Sequence, residues 1–67
     1  MREAEQHFRA AIGLQPTLIA AHRNLVAALI EQGRTPEAVR HLTVAVGTTR
    51  NPELIQMLKS MRSQPGQ

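Results

Sequence analysis

The sequence predicts an all-α fold of antiparallel helix–turn–helix repeats, and three observations carry the prediction. The first is recurrence at a fixed offset. Glu3, Ala4, His7, Ala11 and Gly13 return as Glu37, Ala38, His41, Ala45 and Gly47, each thirty-four residues on. Phe8 is matched by Leu42 and Ile12 by Val46 at the same offset. A period of this size marks a stack of paired helices. The second is apolar spacing at the 3.6-residue period of a helix face. The third is punctuation, because Gly, Pro and capping residues fall between the periodic stretches.

Four helices follow in order. The first covers about residues 2–12, with Ala4, Phe8, Ala11 and Ile12 on one face and Gly13 as a left-handed stop. Pro16 breaks any continuation. The second covers about residues 18–32. Leu18, Ile19, His22, Leu25, Val26 and Leu29 form its stripe, Thr17 offers a capping hydroxyl, and Gly33 closes it. The third covers about residues 36–46. It starts on Thr35-Pro36-Glu37, which combines a capping hydroxyl, Pro at the first helical position and a carboxylate at the positive helix end. Ala38, Val39, Leu42, Ala45 and Val46 are its stripe, and Gly47 is its stop. The fourth covers about residues 52–61, started by Asn51-Pro52-Glu53 and striped by Leu54, Ile55, Leu58 and Met61. Residues 1–62 therefore read as one helical module, and 63–67 as a flexible tail with no apolar residue.

A second match has a different offset. Pro16-Thr17-Leu18-Ile19 parallels Pro52-Glu53-Leu54-Ile55, thirty-six residues on. This predicts a connection two residues longer after the third helix than after the first. Helices one and three are one type (B), and helices two and four another (A). The chain reads B–A–B–A, one complete repeat flanked by two halves.

These slots resemble the tetratricopeptide repeat. Leu25, Leu29, Gly33, Ala38, Leu42 and Ala45 match its apolar, turn and small positions, and Ala4, Phe8, Ala11 and Pro16 match the second helix and closing Pro of a preceding repeat. The match covers residues 3–47 well and the fourth helix in part. His22 stands where the family often has Trp, Val26 where it has Gly, and Arg50 where it has Pro. The resemblance implies a fragment of a right-handed solenoid that binds proteins rather than catalyses a reaction. It also implies a concave groove lined by the A-type helices. Ala20, Arg23, Asn24, Ala27 and Ile30 or Glu31 would face that groove, with Gln56 and Lys59 extending it on the fourth helix. An Asn amide both donates to and accepts from a peptide backbone, and an Arg fork suits a carboxylate. Chaperone adaptors of this family clamp a C-terminal carboxylate with Lys, Arg and Asn from three A helices. Asn24 fits one such slot, but the others are unfilled, so no such clamp is expected.

Composition narrows the function further. Sixty-seven residues make at most one small domain. There is no cysteine, hence no disulfide and no thiolate metal site. No apolar run reaches the length of a membrane span. The charged start Met1-Arg2-Glu3-Ala4-Glu5 is no secretory signal, and a cytoplasmic location is expected. Seven Arg and Lys59 face five Glu, for a net charge of +3. The basic residues are scattered, and Phe8 is the only aromatic. A basic helical module for nucleic acid is the alternative reading, but it would favour a dense basic stripe with aromatics for stacking.

No nucleophile–base pair, phosphate loop or paired carboxylates is present, so no enzyme and no cofactor is expected. His7, His22 and His41 have no pair at the i, i+4 spacing that brings two imidazoles over one ion, so no metal site is expected. His22 is expected half-buried, with His7 and His41 at helix flanks.

The two half-repeats leave apolar faces without partners, at Phe8 and Ile12 on one end and at Leu58 and Met61 on the other. A longer array would cover them. Self-association would do the same, as a homodimer in which the fourth helix of one copy completes the first helix of the next.

Overall fold

A computed structural model describes residues 2–63. Four α-helices follow one another: α1 (Arg2–Leu14), α2 (Ile19–Glu31), α3 (Thr35–Thr49) and α4 (Pro52–Arg62). No strand occurs among the described residues. The main contacts join successive helices, α1 with α2, α2 with α3 and α3 with α4. Nearest-neighbour packing of this kind is what stacked repeats produce.

The core is built from the predicted stripes. Leu25, Val26 and Leu29 of α2, Ala38, Leu42 and Ala45 of α3 and Leu54 of α4 are fully buried. Phe8, Ile12, Ile19, Val46, Met57, Leu58 and Met61 pack around them, partly buried. Ala38 and Ala45 are small, so α3 can lie close to its neighbours while Leu42 fills the space between.

The helix ends correct several expectations. Gly13 does not stop α1, which continues to Leu14. Gly47 does not stop α3, which continues to Thr49. Among the described residues only Gly33 and Arg50 have positive φ, so the stops lie there. Gly33 (φ 76) closes α2 as expected, with Gly33 N–H donating to the Ile30 carbonyl and Arg34 N–H to that of Leu29, each at 2.9 Å. Arg50 adopts the left-handed conformation after α3, and its N–H donates to the Val46 carbonyl at 2.8 Å.

Side-chain bonds explain the extension of α3. Thr49 Oγ1 donates to the Ala45 carbonyl at 2.8 Å, which holds the last turn, and it accepts from Asn51 N–H at 3.2 Å. Asn51 in turn caps α4, its Oδ1 accepting from Glu53 N–H at 2.8 Å and Leu54 N–H at 3.2 Å. The connection after α3 is therefore residues 50–51, shorter than residues 15–18 after α1, and not longer as the offset implied. Asn51 starts α4 at Pro52, whereas Pro16-Thr17 forms a turn and α2 begins only at Ile19.

Two other caps are absent. Leu18, not Thr17, occupies the α2 N-cap, and it makes no side-chain cap bond. Arg34, not Thr35, occupies the α3 N-cap, and Thr35 is the first helical residue. Within the predicted tail, Ser63 closes α4 as its C-cap, and residues 64–67 lie outside the described part of the chain.

Candidate functional site

The α2 stripe turns Ala21, His22, Leu25, Val26, Ala28 and Leu29 inward. The residues between them, Ala20, Arg23, Asn24, Ala27, Ile30 and Glu31, are all exposed. A groove of about 460 Å³ lies between α2 and α4, lined by Ile30, Glu53, Gln56, Met57, Ser60 and Met61. Ile30 keeps 44% of its surface open, which is much for an isoleucine in so small a protein. Methionine is flexible and polarisable, so Met57 and Met61 can fit an irregular apolar guest.

Arg23 stands beside this groove, its Nη1 donating to Glu53 Oε2 at 2.6 Å and so joining α2 to α4. Both side chains are about half exposed, and a pair so open to water adds little stability. Asn24 is exposed one residue further along. Gln56 lines the groove as expected, but Lys59 does not. Lys59 lines a separate depression made by α4 and the residue after it, with Ile55, Leu58, Arg62 and Ser63. One residue turns the helix by roughly 100°, which is enough to carry Lys59 away from the wall that Ser60 joins.

The predicted end faces differ in burial from their repeat equivalents. Ala38, Leu42 and Ala45 are 0% exposed, while Ala4, Phe8 and Ala11 are only half-buried. His22 and Leu25 are buried, while Leu58 and Met61, thirty-six residues on, are half-buried. Phe8, Ile12, Leu58 and Met61 all touch the core, and each keeps a partly open side. Leu58 belongs to the α4 depression and Met61 to the α2–α4 groove.

A charged cluster that pattern reasoning did not find ties α1 to the start of α3. Arg34 grips Glu37 with two bonds, Nε to Oε1 at 2.9 Å and Nη2 to Oε2 at 2.6 Å. Its Nη1 donates to Glu5 Oε1 at 2.8 Å. Arg9 reaches Glu5 at 3.0 Å and Glu37 at 3.2 Å, and Gln32 Nε2 donates to Glu5 at 3.3 Å. The Arg34 bond, then the Gln32 bond, hold the Glu5 carboxyl below the usual carboxylate range. The two short-range pairs, Glu5–Arg9 and Arg34–Glu37, were readable from i, i+4 and i, i+3 spacing. Their convergence across twenty-eight and twenty-nine residues was not. With Arg9, Arg23 and Arg34 bound to carboxylates, less free positive charge remains for phosphate.

The histidines also depart from expectation. His22 is buried at 2% exposure rather than half-buried. Its Nδ1 lies 3.0 Å from His41 Nε2 and its Nε2 lies 2.6 Å from the Pro16 carbonyl oxygen. His41 is half-buried against it, and His7 is exposed. Among the described residues no group of three or more His, Cys, Asp or Glu is arranged to hold a metal ion. No helix among them is long and apolar enough to cross a membrane.

Successive packing, the thirty-four-residue period and an exposed groove between A-type helices define a class, the helical-repeat modules. Within that class the family model described as Tetratricopeptide repeat matches residues 1–61, and the chain belongs to the tetratricopeptide-repeat family. Among curated proteins and among solved structures, nothing matches it. Repeats of this family are generally non-catalytic scaffold modules, and they point to protein–protein interaction.

Proposed function

We propose that the chain is a protein-interaction module whose α2–α4 groove receives an extended peptide or a helix of a protein partner. One observation carries this reading: Ile30, Met57 and Met61 form an open apolar floor between two helices, bordered by Gln56, Ser60 and the Arg23–Glu53 pair. An apolar anchor on the guest would gain burial there. The Gln56 amide and the Ser60 hydroxyl would satisfy its backbone, with Asn24, Ala20 and Ala27 beyond them on α2.

The test is selection of peptides from a displayed random library, followed by binding measurements on variants. Ile30→Glu and Met57→Glu should each abolish binding while far-UV circular dichroism stays unchanged. Gln6→Glu, on α1, should leave binding intact. Selected peptides that bind both groove variants normally would overturn the proposal, as would failure to select any peptide.

A second reading rests on the burial differences between repeat equivalents. Ala4, Phe8 and Ala11 lack the cover that Ala38, Leu42 and Ala45 have, and Leu58 and Met61 lack the cover of His22 and Leu25. An A-type helix would complete the first set and a B-type helix the second. A second copy supplies both, with α4 of one packing on α1 of the other in a closed dimer. Light scattering over a concentration series decides this. A dimer that Leu58→Glu converts to monomer supports the contact, and a concentration-independent monomer rules it out.

A further inference from the structure

His22 is the only buried polar side chain in the core of the described residues, and nothing in the groove reading uses it. Its surroundings fix its protons. A carbonyl oxygen only accepts, so the Nε2 that lies 2.6 Å from Pro16 O carries a hydrogen. In the neutral ring Nδ1 is then bare, and the His41 Nε2 at 3.0 Å must donate to it. A chain of two hydrogen bonds thus runs from α3 through α2 to the turn after α1. The ring centroids are 5.1 Å apart.

This chain can take up one proton without breaking. A proton on His41 Nδ1 leaves the Nε2–H donor in place. A proton on His22 Nδ1 reverses the bond between the rings and keeps the one to Pro16. A second proton puts N–H against N–H across 3.0 Å, and two like charges face each other in a partly dry site. The unfolded chain has no such limit and protonates both rings. Three of the five carboxylates, Glu5, Glu37 and Glu53, are already engaged by arginines. Glu37, one turn before His41, is held by Arg34 and Arg9, and Glu53 of α4 is held by Arg23. From α1 the Arg9 guanidinium adds to the repulsion. Burial first, then His22, then Arg9, hold His41 below the ordinary imidazole range.

We propose that Pro16, His22 and His41 form an acid-released latch, closed with at most one proton, whose second proton frees the α1–α2 turn from α3. Opening loosens the α1 end of the stack, where Phe8 and Ile12 lie, and so couples the module's exposed apolar surface to pH between about 5 and 7.

The experiment is urea unfolding by far-UV circular dichroism from pH 5 to 8, a window above the carboxylates. It is done on the wild-type chain, His41→Gln and His7→Gln, with 15N NMR of the imidazoles in the wild type. Below about pH 6.5 the wild-type folding constant should fall, approaching tenfold per pH unit, because the unfolded chain binds one more proton. In His41→Gln the side-chain amide can turn its Oε1 to accept from Nδ1–H, so the folded pair takes up one proton without a clash, as many as the unfolded variant binds there, and the dependence should largely vanish. His7 is exposed, and His7→Gln should follow the wild type. At pH 8 the NMR spectrum should show His22 protonated on Nε2. A pH-independent wild type, a wild-type slope surviving in His41→Gln, or His22 protonated on Nδ1 would each overturn the latch. The NMR result decides even if His41→Gln does not fold.

Discussion

Leu42→Ala tests the packing that holds the repeat together. Leu42 is 0% exposed and belongs to the buried cluster with Leu25, Leu29, Ala38, Ala45 and Leu54, drawn from three helices. Deleting three carbons from such a site removes their transfer free energy and leaves a cavity, at a cost of about 2–5 kcal/mol. Two of the neighbours, Ala38 and Ala45, have no side-chain freedom with which to fill the space. The upper part of that range, about 3–5 kcal/mol, is therefore expected. A chain of this length has a total stability of roughly 3–10 kcal/mol, so the variant should lose about a third of it or more.

The assay is urea denaturation followed by circular dichroism at 222 nm, since the chain has no Trp or Tyr for fluorescence. Val44→Ala, on the same helix and 64% exposed, is the control and should change stability by less than about 0.5 kcal/mol. Leu58→Ala should fall between the two in a monomer, because Leu58 is only half-buried. A Leu42→Ala loss below about 1 kcal/mol would refute the packing described here.

Three further predictions concern helix ends and charge. Gly47→Ala should raise stability by about 0.5–1 kcal/mol, because Gly47 is inside α3 and a Cβ there meets nothing within 4 Å, whereas Gly33→Ala should lower it by about 1–2 kcal/mol because φ is 76°. Thermal melts of both variants separate the interior glycine from the stop. Asn51→Ala should cost about 0.5–2 kcal/mol by leaving the Glu53 and Leu54 N–H groups uncapped, read from the same melts. Glu5 has its folded pKa depressed by Arg34 and Gln32, so its contribution is complete above the unfolded carboxylate range and is lost as pH falls through the lower folded value. Acid unfolding of Glu5→Gln below about pH 4.5 should therefore be less steep than that of the wild type, and an unchanged profile would show that the Arg34 contact does not form in solution.

What could be read from the sequence was local or periodic. The stripes that became the core, Leu25 and Leu29 on α2 and Leu42 and Ala45 on α3, follow from spacing alone. So does the start of α4, where Asn51, Pro52 and Glu53 each satisfy a separate demand of a helix N-terminus. The ends of α1 and α3 did not follow. Glycine permits a left-handed stop without requiring one, and the stop after α3 fell instead to Arg50, held by its own bond to Val46 after Thr49 had prolonged the helix. The exposed side of α2 was visible because it is the complement of the stripe, but the place of Lys59 on α4 depended on a rotation that the shifted repeat offset obscured. The His22–His41 contact joins residues nineteen apart, and the Arg34–Glu5 contact residues twenty-nine apart. No spacing rule within one helix reaches either, although the recurrence of His7 at His41 marked the position.

The most direct test of the interaction reading is chemical-shift mapping. A 15N-labelled chain would be titrated with a peptide selected for binding to it. The account predicts that the large shift changes fall on Ile30, Gln56, Met57, Ser60 and Met61, with Arg23 and Asn24 following. Changes confined to α1 and the exposed side of α3 around Val44, with the α2–α4 groove silent, would contradict it.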